Sequence, residues 1–120
     1  MIFLPCTIAL PQFAPLSVKD GTRHAMTTFA AVQLGQFGIT VNSVCPGITE
    51  TEMMLDWIKR RSVERGISQQ AQREDIVKDI PLRRANSVND IALAVLYLVS
   101  EQSRNVTGQS LNVDGGLLFD

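Results

Sequence analysis

The chain has 120 residues, 45% of them apolar and 19% charged, with a mean hydropathy of +0.09. That is the make-up of one small globular core and not of a disordered tail. Eleven Lys and Arg face twelve Asp and Glu for a net charge of −1, which argues against nucleic acid or an anionic membrane as partner, since both demand a basic excess. The cluster Lys59, Arg60 and Arg61, flanked by Asp56 and Glu64, reads as a solvated helix face.

Two cysteines far apart in sequence, Cys6 and Cys45, and a single histidine, His24, supply neither metal-ligand spacing nor a Ser-His-Asp inventory, so no metal site is expected. The apolar opening MIFLPCTIAL carries no Lys or Arg before Lys19, contains Pro5 and shows no small-residue cleavage pattern, so it does not read as a signal peptide. No run approaches the ~20 apolar residues of a membrane span. The expectation is a cytoplasmic chain, in which the Asn105-Val106-Thr107 sequon is idle.

Residues 1–9 form an apolar run suited to a buried strand, although Pro5 inside it cannot donate to a ladder. After turns at Pro11 and Pro15, a helix is expected from about Asp20, with Ala25, Met26, Phe29, Ala30 and Leu34 on its apolar stripe and Gly35 and Gly38 at its end. Ile39 to Cys45 reads as the clearest strand, ended by Pro46-Gly47. A helix is expected from Thr49, with Glu52 completing a capping box, towards Gly66. Ser68 caps a further short helix through Ile76. Ser87 with Asp90 opens another, whose buried face would hold Ile91, Ala92, Val95, Leu98 and Val99. A last strand runs from Ser110 to Val113 and turns at Asp114-Gly115-Gly116. Strands alternating with helices imply an α/β domain with a parallel sheet.

The stretches GITVNSVCPGITETEM, IPLRRANSVNDIALAVLYLVSE and NVTGQSLNVDGG, in that order and spacing, resemble the short-chain dehydrogenase/reductase family from about residue 6 to the end. The resemblance is to the family's C-terminal half. It implies a single truncated domain over residues 1–120, a partial doubly wound, Rossmann-like parallel sheet lacking the N-terminal nucleotide-binding strands. It also implies hydride transfer between NAD or NADP and an alcohol or ketone. The glycine-rich turn that lets a dinucleotide phosphate approach the backbone is absent from these 120 residues: neither G-x-x-x-G-x-G nor G-x-G-x-x-G occurs.

The family's catalytic centre is a Ser followed by Tyr-x-x-x-Lys, the tyrosine exchanging a proton with substrate. Here KDGTRHAM stands where that motif ends, so Lys19 falls at the tyrosine position, Arg23 at the lysine position, and Cys6 or Thr7 near the serine. No intact catalytic residue is implied. Arginine can still hold a ribose hydroxyl, though with a different donor geometry, but a lysine donates a proton near neutral pH only if its pKa is pulled far down. From His24 to Gly38 the chain also runs about three residues shorter than the family's usual helix, nearly one turn.

Pro46, Gly47, Ile48 and Thr51 match the family's Pro-Gly-x-x-x-Thr segment and by resemblance lie against the nicotinamide, Ile48 through its backbone and Thr51 through its hydroxyl. Read without the family, Pro46-Gly47 is a strand-ending turn and Thr51 a helix cap. Met53, Met54 and Trp57 are the candidate substrate-pocket residues, or ordinary helix packing. Asn42 is expected to fix backbone geometry, His24 to lie on a helix face, and Tyr97 to pack.

Two functions follow. The first is an NAD(P)-dependent oxidoreductase acting on a small polyol or hydroxyketone, incomplete and inactive as this chain. The second is a non-catalytic remnant that works only through subunit association, as a homo-oligomer or aggregate. A product without function of its own stays open beside them.

Overall fold

The computed structural model describes residues 2–5 and 20–118. Along the chain run β1 (Ile2–Pro5), α1 (Asp20–Gly35), β2 (Val41–Pro46), α2 (Glu52–Arg65), α3 (Gln69–Val77), α4 (Val88–Val99), a short 3₁₀ turn at Glu101–Ser103, and β3 (Ser110–Val113). The sheet is parallel in the order β1-β2-β3, the α/β architecture expected from the alternation of patterns.

β2 is central, and it is buried along Val41–Cys45. Its partners are in register, Ile2 with Val41 on one side and Ser43 with Ser110 on the other. Pro5 pairs with Val44 in β1, which is an edge strand among the described residues, where a missing N–H costs little. Of the strand expected over 1–9, Ile2–Pro5 form β1, and residues 1 and 6–9 lie outside the described residues. Asn42, fully buried, donates from Nδ2 to the Val106 carbonyl at 2.9 Å and accepts on Oδ1 from the Gln109 N–H at 3.1 Å. It thereby ties the loop before β3 to the sheet centre and satisfies both ends of its amide, as a buried polar group must.

α1 packs against β2, but not through the stripe that its periodicity suggests. Thr27 and Ala31 are buried, while Met26 and Phe29 are 54% and 68% exposed. The helix is apolar on more than one side, and the pair of small side chains one turn apart lets it approach the strand closely, leaving the larger residues outward. α4 packs against β2 and β3. Leu98 is its buried residue and Ile91 and Val95 are half-buried, whereas Ala92 and Val99 of the expected face are exposed. Tyr97, expected to pack, is 43% exposed. His24 is exposed on α1, with Nδ1 3.2 Å from the Ser110 hydroxyl.

The caps follow the side-chain chemistry. Ser87 and Asp90 form the expected capping box, and Ser68 caps α3. α2 begins differently from expectation. Its N-cap is Thr51, whose hydroxyl accepts from the Met54 N–H. Thr49 instead turns its hydroxyl onto the Gly47 carbonyl at 3.1 Å, so no box forms with Glu52. Gly66 ends α2 at φ 64°, a left-handed conformation that glycine adopts without the Cβ penalty. Among the described residues no helix is long and apolar enough to cross a membrane, and no group of three His, Cys, Asp or Glu is placed to hold a metal.

Candidate functional site

Parallel α/β sheets bind ligands at the C-terminal ends of their strands. Here those ends are Pro46 of β2 and Val113 of β3, with the loop Gly47–Glu50 leaving one and the turn Asp114–Gly116 leaving the other. A third segment, Ile80–Asn86, returns from α3 and is laced to both. The Asn86 N–H donates to the Ile48 carbonyl at 2.8 Å, and the Glu50 N–H donates to the Asn86 carbonyl at 2.9 Å. The Asn86 side chain donates from Nδ2 to the Val113 carbonyl, which also accepts from the Gly47 N–H at 2.9 Å. The Leu82 N–H donates to the Gly115 carbonyl at 3.1 Å. Asn86 therefore fixes the outgoing and returning necks of the α2–α3 hairpin against the end of β3.

Gly47 is required by this junction. A Cβ there would lie 2.5 Å from Asp114 Cβ and 2.7 Å from its Cα, closer than any side chain is accommodated. Asp114 is buried, and its carboxylate accepts from the Gly116 N–H at 2.8 Å and the Leu118 N–H at 2.9 Å. It holds the turn that presses on Gly47. The glycine of the Pro-Gly pair thus has a packing reason independent of any ligand.

The α2–α3 hairpin is bound by an ionic clasp. Arg65 donates from Nη1 to Gln72 Oε1 and to Asp75 Oδ2, both at 2.8 Å, and Lys78 Nζ lies 2.9 Å from Asp75 Oδ1. The Lys78 hydrogen bond, reinforced by Arg65, holds the Asp75 carboxyl below the ordinary carboxylate range, and Asp75 in turn raises the Lys78 ammonium.

Two clefts flank this hairpin, and Ile48 lines both. The larger, about 750 Å³, includes Trp57, Arg61, Arg65 and Leu117. The smaller, about 310 Å³, includes Met54, Arg73, Arg83 and Arg84. The three candidate substrate residues are therefore separated. Trp57 belongs to one cleft and Met54 to the other, while Met53, 76% exposed, lines neither. The helix turns adjacent Met53 and Met54 about 100° apart, whereas Met54 and Trp57, three residues apart on one side of α2, are parted by the two clefts themselves. Of the candidate cofactor residues, Pro46 closes β2 opposite Val113, Gly47 carries Asp114, Ile48 sits between the clefts, and Thr51 caps α2. Cys6 and Lys19, like Thr7, lie outside the described residues. Arg23 falls in the first turn of α1, and its side chain lies outside them as well.

The loop Gly47–Glu50 and the start of α2 carry hydrogen-bonding groups that the fold does not consume. Among the described residues the Ile48 N–H has no hydrogen-bond partner, although the Ile48 carbonyl is taken by Asn86. The Thr51 hydroxyl accepts at its cap and keeps its own hydrogen to donate. The Ile48 N–H and the Thr51 hydroxyl are thus donors that this loop presents among the described residues. The described residues offer the phosphates of a dinucleotide no glycine-rich cradle. Asn86 carries no local signature that would have singled it out, since its partners Ile48 and Val113 lie far away in sequence.

Comparison with known proteins decides the family. Residues 3–118 match the family profile described as enoyl-(acyl carrier protein) reductase. The chain belongs to the short-chain dehydrogenase/reductase family. It is 36% identical over 120 residues to a diacetyl reductase, (S)-acetoin forming, of Staphylococcus epidermidis, an alignment covering 95% of this chain and 46% of that protein. The fold superposes on a short chain dehydrogenase family protein from Francisella tularensis with a TM-score of 0.84 at 29% identity, covering 96% of this chain and 49% of the other. It superposes on an actinorhodin polyketide ketoreductase with NADPH at a TM-score of 0.79 and 29% identity, covering 96% and 46%. The chain spans just under half the length of these relatives. This short-chain dehydrogenase/reductase chain thus carries the partial Rossmann-like parallel sheet of its structural neighbours, and NAD(P) is the cofactor of the family.

Proposed function

We propose that these residues form the nicotinamide-side and substrate-side portion of an NAD(P)-dependent oxidoreductase site for a small alcohol or ketone, of polyol or hydroxyketone type. One observation carries the reading: the Ile48 N–H, without a partner among the described residues, stands at the C-terminal edge of the sheet, and Ile48 lines both clefts. The acetoin-forming activity of the Staphylococcus relative supports the hydroxyketone class. When bound, the dinucleotide would supply the hydride. The chain's part is to orient the carboxamide at Ile48 and Thr51 and to keep the α2–α3 hairpin over the substrate.

The proton must come from elsewhere in the site. Lys19, at the family's tyrosine position, is a poor donor unless desolvated or crowded by other cations. These 120 residues alone are accordingly proposed to bind dinucleotide feebly and to turn over no substrate. A second reading, association without catalysis, is favoured by the outward apolar side chains: Phe29 and Val32 on α1 are 68% and 69% exposed, Leu93 and Leu96 on α4 are 54% and 60% exposed. Surfaces of this kind recruit partners, including further copies of the chain.

The test is a titration with reduced nicotinamide riboside, which carries no phosphate, followed through the backbone amide resonances of Ile48 and Thr51. Saturable millimolar shifts centred on Ile48 are expected, with NADH and NADPH no more than about tenfold tighter. Shifts elsewhere but not at Ile48 would remove the nicotinamide reading. Micromolar binding of either dinucleotide would show that the phosphates find a site these residues are proposed to lack. Silence at Ile48, together with concentration-dependent sedimentation, would favour the associative reading.

A further inference from the structure

The smaller cleft carries an arrangement that hydride transfer does not require. Three arginines, Arg73, Arg83 and Arg84, line its roughly 310 Å³ together with Glu50 and Glu74. Both carboxylates are engaged: Arg73 forms an ion pair with Glu50, and Gln70 donates to Glu74 at 2.8 Å. Among the described residues, Arg83 and Arg84 form no ion pair and no side-chain hydrogen bond. Two guanidinium groups thus remain free of hydrogen bonds on the wall of one concave site, Arg84 acting on the nearby Asp90 carboxyl through charge alone. Each offers a planar fork of N–H donors suited to an oxyanion.

The backbone at Arg83 is the second observation. Its φ is 54°, the one positive value at a non-glycine residue among the described residues. A side chain there is strained and persists only because its surroundings hold it. The Ile80–Arg83 turn does hold it: the Arg83 N–H donates to the Ile80 carbonyl at 2.9 Å, the Leu82 N–H is fixed on Gly115, and Ile80 is buried. Glycine would relieve the strain, so arginine at this position sacrifices stability for its side chain. Strain kept beside a cleft is a recurrent mark of ligand sites.

We propose that Arg83 and Arg84, with Arg73 beside them, form a subsite for an oxyanionic group, phosphate or carboxylate, carried by a small substrate. Describing the anion as part of a substrate rests on the oxidoreductase reading above, since Ile48 and Met54 place this cleft beside the nicotinamide loop. Anion binding itself does not depend on that reading.

The experiment uses the full chain in a chloride buffer, titrated separately with inorganic phosphate and with acetate. Backbone amides of 83–86 and the arginine Nε–H resonances report binding. Saturable shifts with millimolar Kd are expected for at least one anion, and the tighter of the two identifies the group. Arg84→Gln and Arg83→Gly should each weaken it at least fivefold. Arg60→Gln, an exposed arginine on α2 outside this cleft, should leave it unchanged. Arg83→Gly removes the guanidinium while relieving the strained φ, so its loss of binding cannot be attributed to misfolding. Non-saturating shifts, an unchanged Kd in both Arg83→Gly and Arg84→Gln, or an equal loss in Arg60→Gln would overturn the proposal. No dinucleotide is present, so the result is independent of the nicotinamide titration, and the two readings fail separately.

Discussion

Gly47→Ala tests whether the Pro46–Gly47 turn is dictated by packing. The added methyl would sit 2.5 Å from Asp114 Cβ and 2.7 Å from Asp114 Cα, against a normal carbon–carbon separation of about 3.5–4.0 Å. The ends of β2 and β3 must therefore open by about 1 Å. Rotamer change cannot relieve this, because the nearer obstacles are a Cβ and a main-chain atom. Opening breaks the 2.9 Å bond from the Gly47 N–H to the Val113 carbonyl, worth about 1 kcal/mol net, and overpacking adds about 1–3 kcal/mol. A loss of about 3 kcal/mol is expected, a large share of a small domain's ~5–15 kcal/mol. With an unfolding entropy near 2.1 cal/mol/K per residue, 120 residues convert this to a fall of about 12 °C in Tm, measured by circular dichroism. Asp114→Gly, which removes one of the two obstructing atoms, should recover part of the loss. Asp114→Ala, which keeps Cβ, should recover none of the clash. A fall in Tm of less than about 3 °C, or full rescue by Asp114→Ala, would refute the packing account and leave cofactor approach as the reason for the glycine.

Arg83→Gly should raise stability by about 1 kcal/mol, or about 4 °C in Tm, because glycine adopts the left-handed φ without strain while losing some of that gain to unfolded-state entropy; an unchanged or lower Tm would show that φ 54° is not costly there. Asp75 is held below its ordinary pKa first by Lys78 and then by Arg65, and Asp90 by the Ser87 N–H and hydroxyl. Groups depressed in this way stabilise the fold above their unfolded pKa and lose that contribution as pH falls through the folded value. Urea midpoints should therefore drop below about pH 4, and Asp75→Asn and Asp90→Asn should each flatten that slope. Lys19→Tyr with Arg23→Lys should leave the chain without NAD(P)H oxidation on acetoin or ketoses, because proton donation counts only when carbonyl and nicotinamide are already positioned. Turnover by that double variant alone would overturn the proposed weakness of dinucleotide binding.

Local chemistry made much of the fold legible. Ser87 three residues before Asp90, ahead of an apolar run, could be little other than a capped helix, and it is one. The β-branched run ending in Pro46-Gly47 announced the central strand to within two residues. Where two solutions were locally equivalent, sequence could not choose between them. Thr49 and Thr51 are both competent caps, and the choice fell to Thr51 because the Thr49 hydroxyl is spent on the Gly47 carbonyl. α1 has apolar residues on more than one side, and only the sheet decides that Thr27 and Ala31 face inward. The junction at the strand ends was the least legible part. Asn86 and Val113, or Gly47 and Asp114, meet across 27 and 67 residues of chain, and nothing in either segment announces the other.

The same division bears on how the candidate site is to be understood. Gly47 is explained by Asp114, Thr51 by the α2 cap, and Pro46 by the end of a strand, so three of the four motif positions would be needed in a chain that bound nothing. What they jointly produce is a loop that, among the described residues, leaves the Ile48 N–H without a partner while its carbonyl is fixed by Asn86. A backbone donor exists at every residue but proline, so this one cannot be read from residue identity; it is created by the packing around it. Arg83 is the opposite case, a side chain whose retention the local backbone resists. The functional content of this edge of the sheet therefore lies in one group left over by packing and another held in spite of it, and perturbing Gly47 and Arg83 should shift stability in opposite directions.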